Sequence, residues 1–246
     1  MFGRLIEFIL PRIIGLMVHK NEVLTKKERA AQSAFITTLA IKKSKTKKSV
    51  IVAMIGLVGS GKSSVARELA KHLGATVIVG NDIRIELRRQ SERYEKARAI
   101  AENVAMEVIK NGGNVILDSD FVDEKKRASI REKARKAGAR LVFVRTHCDM
   151  DVVMGRIITA TYHNRTDDFF GGASSVWSGS AQNKGATVKI REMWRRTPHH
   201  YRWSSQGGGK WILRKFSLTF FAEIDTTNSD SWVQEVEECV KRLSAE

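Results

Sequence analysis

The stretch Gly56-Leu57-Val58-Gly59-Ser60-Gly61-Lys62-Ser63 constrains this chain more than any other feature. It follows the G-x-x-x-x-G-K-S spacing without a mismatch. Val50–Ile55 before it is a continuous apolar run, the pattern of a strand buried on both faces. Ser63–Leu73 after it has amphipathic helical spacing and stops at Gly74. Glycines in such a turn let successive backbone N–H groups face inward as an anion nest. The start of the following helix adds the positive end of its dipole. Gly56, Gly59, Ser60, Gly61, Lys62, Ser63 and Ser64 are therefore the expected lining of a polyphosphate site. Lys62 reaches for the β- and γ-phosphates, and the Ser63 hydroxyl suits Mg²⁺, a hard ion that prefers oxygen.

The pattern continues beyond the loop. Thr76–Val79 is a short β-type run, and residues 83–110 read as helical up to Gly112-Gly113. Val115–Leu117 reads as a buried strand ending at Asp118. Glu124–Lys136 is a charged helix stopped by Gly138, and Arg140–Arg145 is the next strand. Strands alternating with helices predict βαβ units and a mostly parallel sheet. From His163 to Lys210 glycine and serine are dense, which suits a lid spanning roughly residues 156–210, with a short helix at 187–196 stopped by Pro198. Order returns at Leu218–Ile224, a turn follows at Asp225–Asn228, and a helix capped by Ser229 or Asp230 runs to Leu243.

Charge is uneven. The 246 residues carry a formal +16, and residues 1–50 hold eleven Lys/Arg against three Asp/Glu. That surplus favours an anionic partner, whether nucleic acid, phosphorylated substrate or membrane face, without choosing among them. Residues 1–18 have helical apolar spacing, but Glu7, Arg12 and Pro11 argue against a membrane span. The alternatives are an amphipathic helix on a membrane surface and a helix packed on the domain or on a second subunit. Residues 25–41 form a second expected helix, with Thr25 and Glu28 in capping-box spacing. Lys42, Lys43, Lys45, Lys47 and Lys48 then read as a basic linker, either a solvated tether or a contact for phosphate or lipid. The expected division is residues 1–48 as an N-terminal extension and 49–246 as the main domain. Cys148 and Cys239 make no disulfide framework or metal motif, so a reducing compartment and a packing role are expected. A cytoplasmic protein follows, with peripheral contact at the inner membrane face as the alternative.

Two acidic positions attract attention. Asp118 ends a strand, where it can orient the shell of Mg²⁺ or simply serve a turn. Asp82, in Gly80-Asn81-Asp82-Ile83-Arg84, follows another strand. It can accept the proton of an attacking hydroxyl or cap the next helix. Phosphoryl transfer also needs cations against spreading negative charge. Arg156 and Arg165 flank the glycine-rich region, and Arg191, Arg195 and Arg196 are further candidates.

With GLVGSGKSS, VIVGNDIR, NVILDSDF with Arg127 downstream, the arginine-bearing segment from Arg156 and the terminal AEIDTT, residues 49–243 resemble small P-loop kinases of the polynucleotide-kinase and zeta-toxin-like group. The resemblance implies a three-layer α/β/α P-loop NTPase fold with a mostly parallel sheet, a helical lid and, outside the resemblance, an N-terminal helical extension. It implies ATP and Mg²⁺ as cofactors and transfer of the γ-phosphoryl group to a hydroxyl on a small molecule, nucleotide or polynucleotide end. A membrane-associated ATP-binding module with no dedicated acceptor is the rival reading. By the resemblance, Asp82 matches the acidic base position and Arg84 the substrate-binding basic position. Lys62, Arg156 and Arg165 would complete catalysis, with Ser63 and Asp118 at the metal. The family can carry two adjacent acids where this chain has Asn81-Asp82, so the base position can also align with Asn81.

Overall fold

The computed structural model describes residues 23–162 and 181–245. The amphipathic segment at 1–18 and Arg165 lie outside the described residues.

Five parallel strands form the central sheet in the order β2-β3-β1-β4-β7. They are β1 (Val50–Ile55), β2 (Ala75–Val79), β3 (Asn114–Asp118), β4 (Arg140–His147) and β7 (Ala222–Asp225). The middle strand, β1, is buried along its whole length, as its unbroken apolar run requires. Its side chains alternate between two cores. Ile51, Ala53 and Ile55 pack with α1 (Lys26–Thr38), α3 (Gly80–Arg89), α4 (Ala97–Lys110) and α5 (Glu124–Lys136). Val50, Val52 and Met54 pack with α2 (Lys62–Leu73) and α8 (Trp232–Ala245). The result is the three-layer α/β/α architecture of P-loop NTPases that the sequence implied.

Local signals place most of these elements. The capping box of α1 forms as expected: Glu28 N–H donates to Thr25 Oγ1 at 3.1 Å and Thr25 N–H to Glu28 Oε2 at 2.7 Å. Helix α2 ends on Gly74 at φ 60°, a left-handed conformation that suits glycine.

Several expectations need correction. The helical stretch at 83–110 is two helices, α3 and α4, separated by a turn with Ser91 at φ 57° and a short 3₁₀ segment at Tyr94–Lys96. Nothing like Gly or Pro marks this break, and Ser91 takes the left-handed conformation without being glycine. The helix expected at 187–196 extends over Ala181–His200 (α7), with Pro198 inside it. The proline cannot donate to the carbonyl four residues back. The adjoining Thr197 hydroxyl donates to Met193 O at 2.9 Å, and Met193 and His200 are buried, so packing holds the last turn in place. The order expected at Leu218–Ile224 takes the form of a strand at Ala222–Asp225, so the strand includes Asp225, where the turn was expected to begin. Within the glycine-rich region lies an antiparallel hairpin of β5 (Tyr201–Ser204) and β6 (Lys210–Leu213) that periodicity did not announce. It turns on Gly207–Gly209, and Trp203 stands directly opposite Trp211.

The lysine-rich stretch after α1 has exposed side chains, but its backbone is stitched to the domain rather than hanging as a tether. Lys42 N–H donates to Thr76 Oγ1 at 3.2 Å, and Lys45 N–H donates to Leu73 O at 3.1 Å. Ala31 and Phe35 of α1 are fully buried in the core. The packed unit therefore runs across residue 48. The two cysteines are buried thiols in packing positions. No helix among the described residues is long and apolar enough to cross a membrane.

Candidate active site

The site forms at the C-terminal ends of the neighbouring strands β1 and β3, whose following helices, α2 and α5, pack on opposite faces of the sheet, the crevice position of open α/β folds. A cavity of about 630 Å³ opens there. Gly56, Gly59, Lys62 and Ser63 line one side. Gly59 and Gly61 sit at φ 85° and 77°, which an L side chain rarely adopts. Gly56 is fixed for a second reason: a β-carbon there would lie 2.3 Å from Thr146 Oγ1.

The loop is held from behind by hydroxyl groups. Ser60 Oγ and Thr146 Oγ1 share a hydrogen bond at 2.9 Å. The Thr226 hydroxyl lies 3.1 Å from Ser60 O and 3.2 Å from His147 O. Arg156, on α6 (Met150–Thr159), donates through Nη1 to Thr226 Oγ1 at 3.1 Å and touches Cys148 Sγ at 3.4 Å. Arg156 thus borders the cavity from beside the loop, anchored to neutral groups.

Lys62 folds over the loop: its Nζ donates to Gly56 O and Leu57 O, both at 2.8 Å. Burial pulls its pKa below the ordinary lysine value, while the nearby charges of Asp120 and Asp118 pull it back up. Asp118 ends β3 and lines the cavity, and its carboxylate has no hydrogen bond or ion pair among the described residues. Its carboxylate is free to face a cation. Ser63 and Asp118 border the same space, so the donor set fits the few protein oxygens that Mg²⁺ takes beside phosphate.

Asp120, which sequence reasoning passed over, joins several elements of the site. Its Oδ2 accepts from Arg196 Nη1 at 3.2 Å and from His200 Nε2 at 3.0 Å. Its Oδ1 accepts from Val122 N–H at 3.2 Å and, more weakly, from Gly56 N–H at 3.4 Å. Burial by itself would raise its pKa. The hydrogen bond from His200 and the charges of His200, Lys62 and Arg196 outweigh burial and hold the carboxyl well below the usual range. Asp120 therefore ties the start of the loop to the C-terminal end of α7. Arg145 braces the same corner, donating to Arg214 O at 3.0 Å and pairing with Glu223 at 3.1 Å.

The opposite wall comes from α3, α5 and α7. Asn81 and Arg84 line it, but Asp82 does not: it stands exposed on α3, outside the lining. Arg195 and Arg196 reach the cavity from α7, whereas Arg191 does not line it. Arg127 is buried in structural contacts with Glu124, Phe121 O and Val122 O, and its neighbour Lys126 faces the cavity instead. An acidic residue two positions beyond a strand end was the one available hint to Asp120. For Lys126 the sequence offers only a charged helix.

This architecture defines a P-loop nucleotide-binding fold. Residues 51–170 match the family model AAA_33, described as an AAA domain. Over 121 residues the chain is 31% identical to the adenylyl-sulfate kinase of Myxococcus xanthus (strain DK1622), covering 46% of this chain and 65% of that protein. It is also 31% identical over 119 residues to the uncharacterized protein Rv2004c of Mycobacterium tuberculosis (strain ATCC 25618 / H37Rv), covering 42% of this chain and 24% of that one. The chain thus spans less than two thirds of the length of either relative. The crystal structure of APE1195 superposes with a TM-score of 0.51 at 17% identity, over 81% of this chain and 97% of the other, a likeness of fold.

Proposed function

We propose that this protein is an ATP-dependent kinase that moves the γ-phosphoryl group to a hydroxyl acceptor. The observation that carries the reading is one cavity with two unlike walls. A backbone nest with Lys62 and Ser63 forms one wall, and Asn81, Arg84, Lys126 and Arg196 form the other. The first suits a polyphosphate tail, and the second leaves space for a separate acceptor facing it. The 31% identity to an adenylyl-sulfate kinase over 121 residues supports the same reading.

In this scheme the loop amides and Lys62 hold the β- and γ-phosphates. Lys62 exchanges its two carbonyl partners for phosphate oxygens, which lifts the disadvantage of burying its charge. Mg²⁺ would sit against Ser63 and Asp118 and neutralise charge on the phosphates. Arg195 and Arg196, with Arg156 beside the loop, supply positive charge where the transferred group spreads its own. The proton-accepting role expected of Asp82 finds no support in its exposed position. The transition state of phosphoryl transfer is loose, and positioning contributes more than base strength.

The test is nucleotide binding followed by transfer. Purified protein with Mg²⁺ binds ATP, and Lys62→Ala weakens that binding by at least tenfold, about 1.4 kcal/mol. A screen of γ-labelled ATP against nucleosides, sugar nucleotides and 5′-hydroxyl oligonucleotides then identifies the acceptor class. Unchanged ATP affinity in Lys62→Ala would refute the nucleotide site.

A further inference from the structure

The lysine run at residues 42–48 has no part in the cavity, yet several contacts hold it still. Between Glu28 and Glu68 the sequence has no Asp or Glu, and the run itself holds Lys42, Lys43, Lys45, Lys47 and Lys48. All five side chains are exposed, and among the described residues none is paired with a carboxylate. The Lys45 amine donates to a backbone carbonyl, Lys71 O at 3.0 Å. The backbone beneath the side chains is fixed. Besides the bonds from Lys42 N–H to β2 and from Lys45 N–H to the end of α2, the fully buried Asn114 acts as a clamp at the start of β3. Its Oδ1 accepts from Val50 N–H at 2.9 Å and from Thr46 Oγ1 at 3.0 Å, and its Nδ2 donates to Leu73 O at 2.8 Å. Gly74 leaves room for the run, since a β-carbon there would lie 2.3 Å from Lys43 O. A solvated tether needs none of these contacts.

The anchors lie at the N-terminal ends of β1, β2 and β3, whereas the cavity opens at the C-terminal ends of the sheet. The lysines therefore form a ribbon on the end of the domain turned away from the phosphate-binding loop. Like charges so close together repel one another, and an extended anionic surface relieves the repulsion. A nucleic acid and an anionic lipid bilayer both present such a surface, and the surroundings of the ribbon favour the bilayer. Single strands are gripped largely by base stacking on aromatic rings. The one aromatic residue in the stretch 23–50 is Phe35, fully buried in the core. The exposed indoles, Trp194 and Trp203, belong to α7 and the hairpin, which is tied to the other end of the sheet through Tyr201 Oη and Cys148 O at 2.8 Å. Immediately before the first lysine stands Ile41, a large apolar side chain left exposed. Further ahead in the chain, residues 1–18 carry the apolar helical spacing noted above. Apolar side chains beside a polybasic run are the pair of signals that reversible attachment to a bilayer requires.

We propose that the lysine ribbon at residues 42–48 is a docking surface for an anionic lipid bilayer, which leaves the cavity facing the solvent. The inference stands apart from the phosphotransfer reading, because it uses neither the loop nor the cavity. The fixed backbone presents the lysines together, so little ordering cost falls on association. The attraction acts only within about a Debye length of the surface, roughly 10 Å at 0.1 M salt, and binding is therefore sensitive to salt.

The experiment is co-sedimentation of the full chain with vesicles of phosphatidylcholine, with and without about 30% phosphatidylserine. The wild type should pellet with the anionic vesicles and stay in solution with the neutral ones, and about 0.5 M salt should release it. A variant carrying Lys42→Gln, Lys43→Gln, Lys47→Gln and Lys48→Gln should bind the anionic vesicles at least tenfold more weakly. Lys45 is kept because its amine is tied to Lys71 O. A control with Lys125→Gln, Arg202→Gln, Lys210→Gln and Lys215→Gln has the same net charge and loses exposed cations outside the ribbon. It should bind within about threefold of the wild type. Should the ribbon variant fail to fold, Lys47→Gln and Lys48→Gln singly replace it, each expected to weaken binding about threefold. Absent binding by the wild type, equal binding to neutral vesicles, or an equal loss in the ribbon variant and the control each overturns the proposal. A duplex oligonucleotide is titrated in parallel at the same salt. If the ribbon variant loses the oligonucleotide while its affinity for anionic vesicles matches that of the wild type, the ribbon serves nucleic acid and the proposal falls. ATP binding, measured on every variant, should be unchanged, which keeps this test separate from that of the nucleotide site.

Discussion

On the β1 side the cavity is walled by backbone, and each turn of that backbone is fastened from behind by Ser60, Thr146, Thr226 or Arg156. On the side of α3, α5 and α7 it is walled by long side chains whose charges are only partly answered. The first wall is built before any ligand arrives, because amides and glycine turns have few other states. The second stores unfavourable electrostatics that a ligand relieves. Groups shared by all nucleotides can be met by fixed backbone. Groups that distinguish one acceptor from another are met by side chains, which change without disturbing the fold.

Breaking that contrast begins at the two acidic candidates. Asp118→Asn should lower the transfer rate by at least a hundredfold, since it removes the carboxylate at the proposed magnesium position. Asp82→Asn, exposed on α3, should stay within about threefold of wild type. Steady-state kinetics on the two variants checks this, and a larger loss from Asp82→Asn would return the base to the position the sequence suggested.

Asp120 joins the two walls, and its removal should be felt as stability. Asp120→Asn leaves Arg196, His200 and Lys62 without their shared anion and should destabilise the fold by about 3 kcal/mol, the scale of breaking a buried pair. Urea unfolding measures it. The carboxyl is held below its unfolded pKa. Its contribution is therefore complete above the ordinary carboxylate value of about 4 and fades as pH falls through and below it. Between pH 5 and pH 3 the wild type should lose stability more steeply than Asp120→Asn does.

The smallest effect sharpens the other wall. Lys126→Met removes one of the mutually repelling cations and should raise the stability of the ligand-free protein by about 0.5 kcal/mol, or roughly 1–2 °C in Tm. A drop in Tm would mean that the carbonyl contact of Lys126 outweighs the repulsion it feels.

The strands around the loop, the helices at 26–38, 62–73 and 124–136, and the glycine turns could all be read from local pattern. Each depends on interactions between residues close in sequence or on a hydrophobic run with one interpretation. The break at Ser91 could not, because an exposed serine takes the left-handed turn, closed by Ser91 N–H to Arg88 O and Glu92 N–H to Leu87 O, with no Gly or Pro to announce it. Nor could the continuation of α7 through Pro198, where the buried Met193 and His200 hold the last turn. The hairpin at 201–213 is a similar case. Its strands are four residues each, too short for a period to stand out, and their tryptophans join Trp194 of α7, with ring centroids 5.8 Å apart between Trp194 and Trp211.

The same division runs through the site. Order along the chain was enough to determine the phosphate-binding loop, since a strand, three glycines, a lysine and a helix start lie within consecutive residues and make their own geometry. Which carboxylate would face the cavity, and which cations would gather opposite the loop, was decided only when β3, α3, α5 and α7 came together. Asp82 and Asp120 look alike in sequence. The exposed face of a helix received one, and a buried corner beside His200 and Arg196 received the other, because side-chain charge acts through space and its neighbours there are assembled from residues up to 80 positions apart.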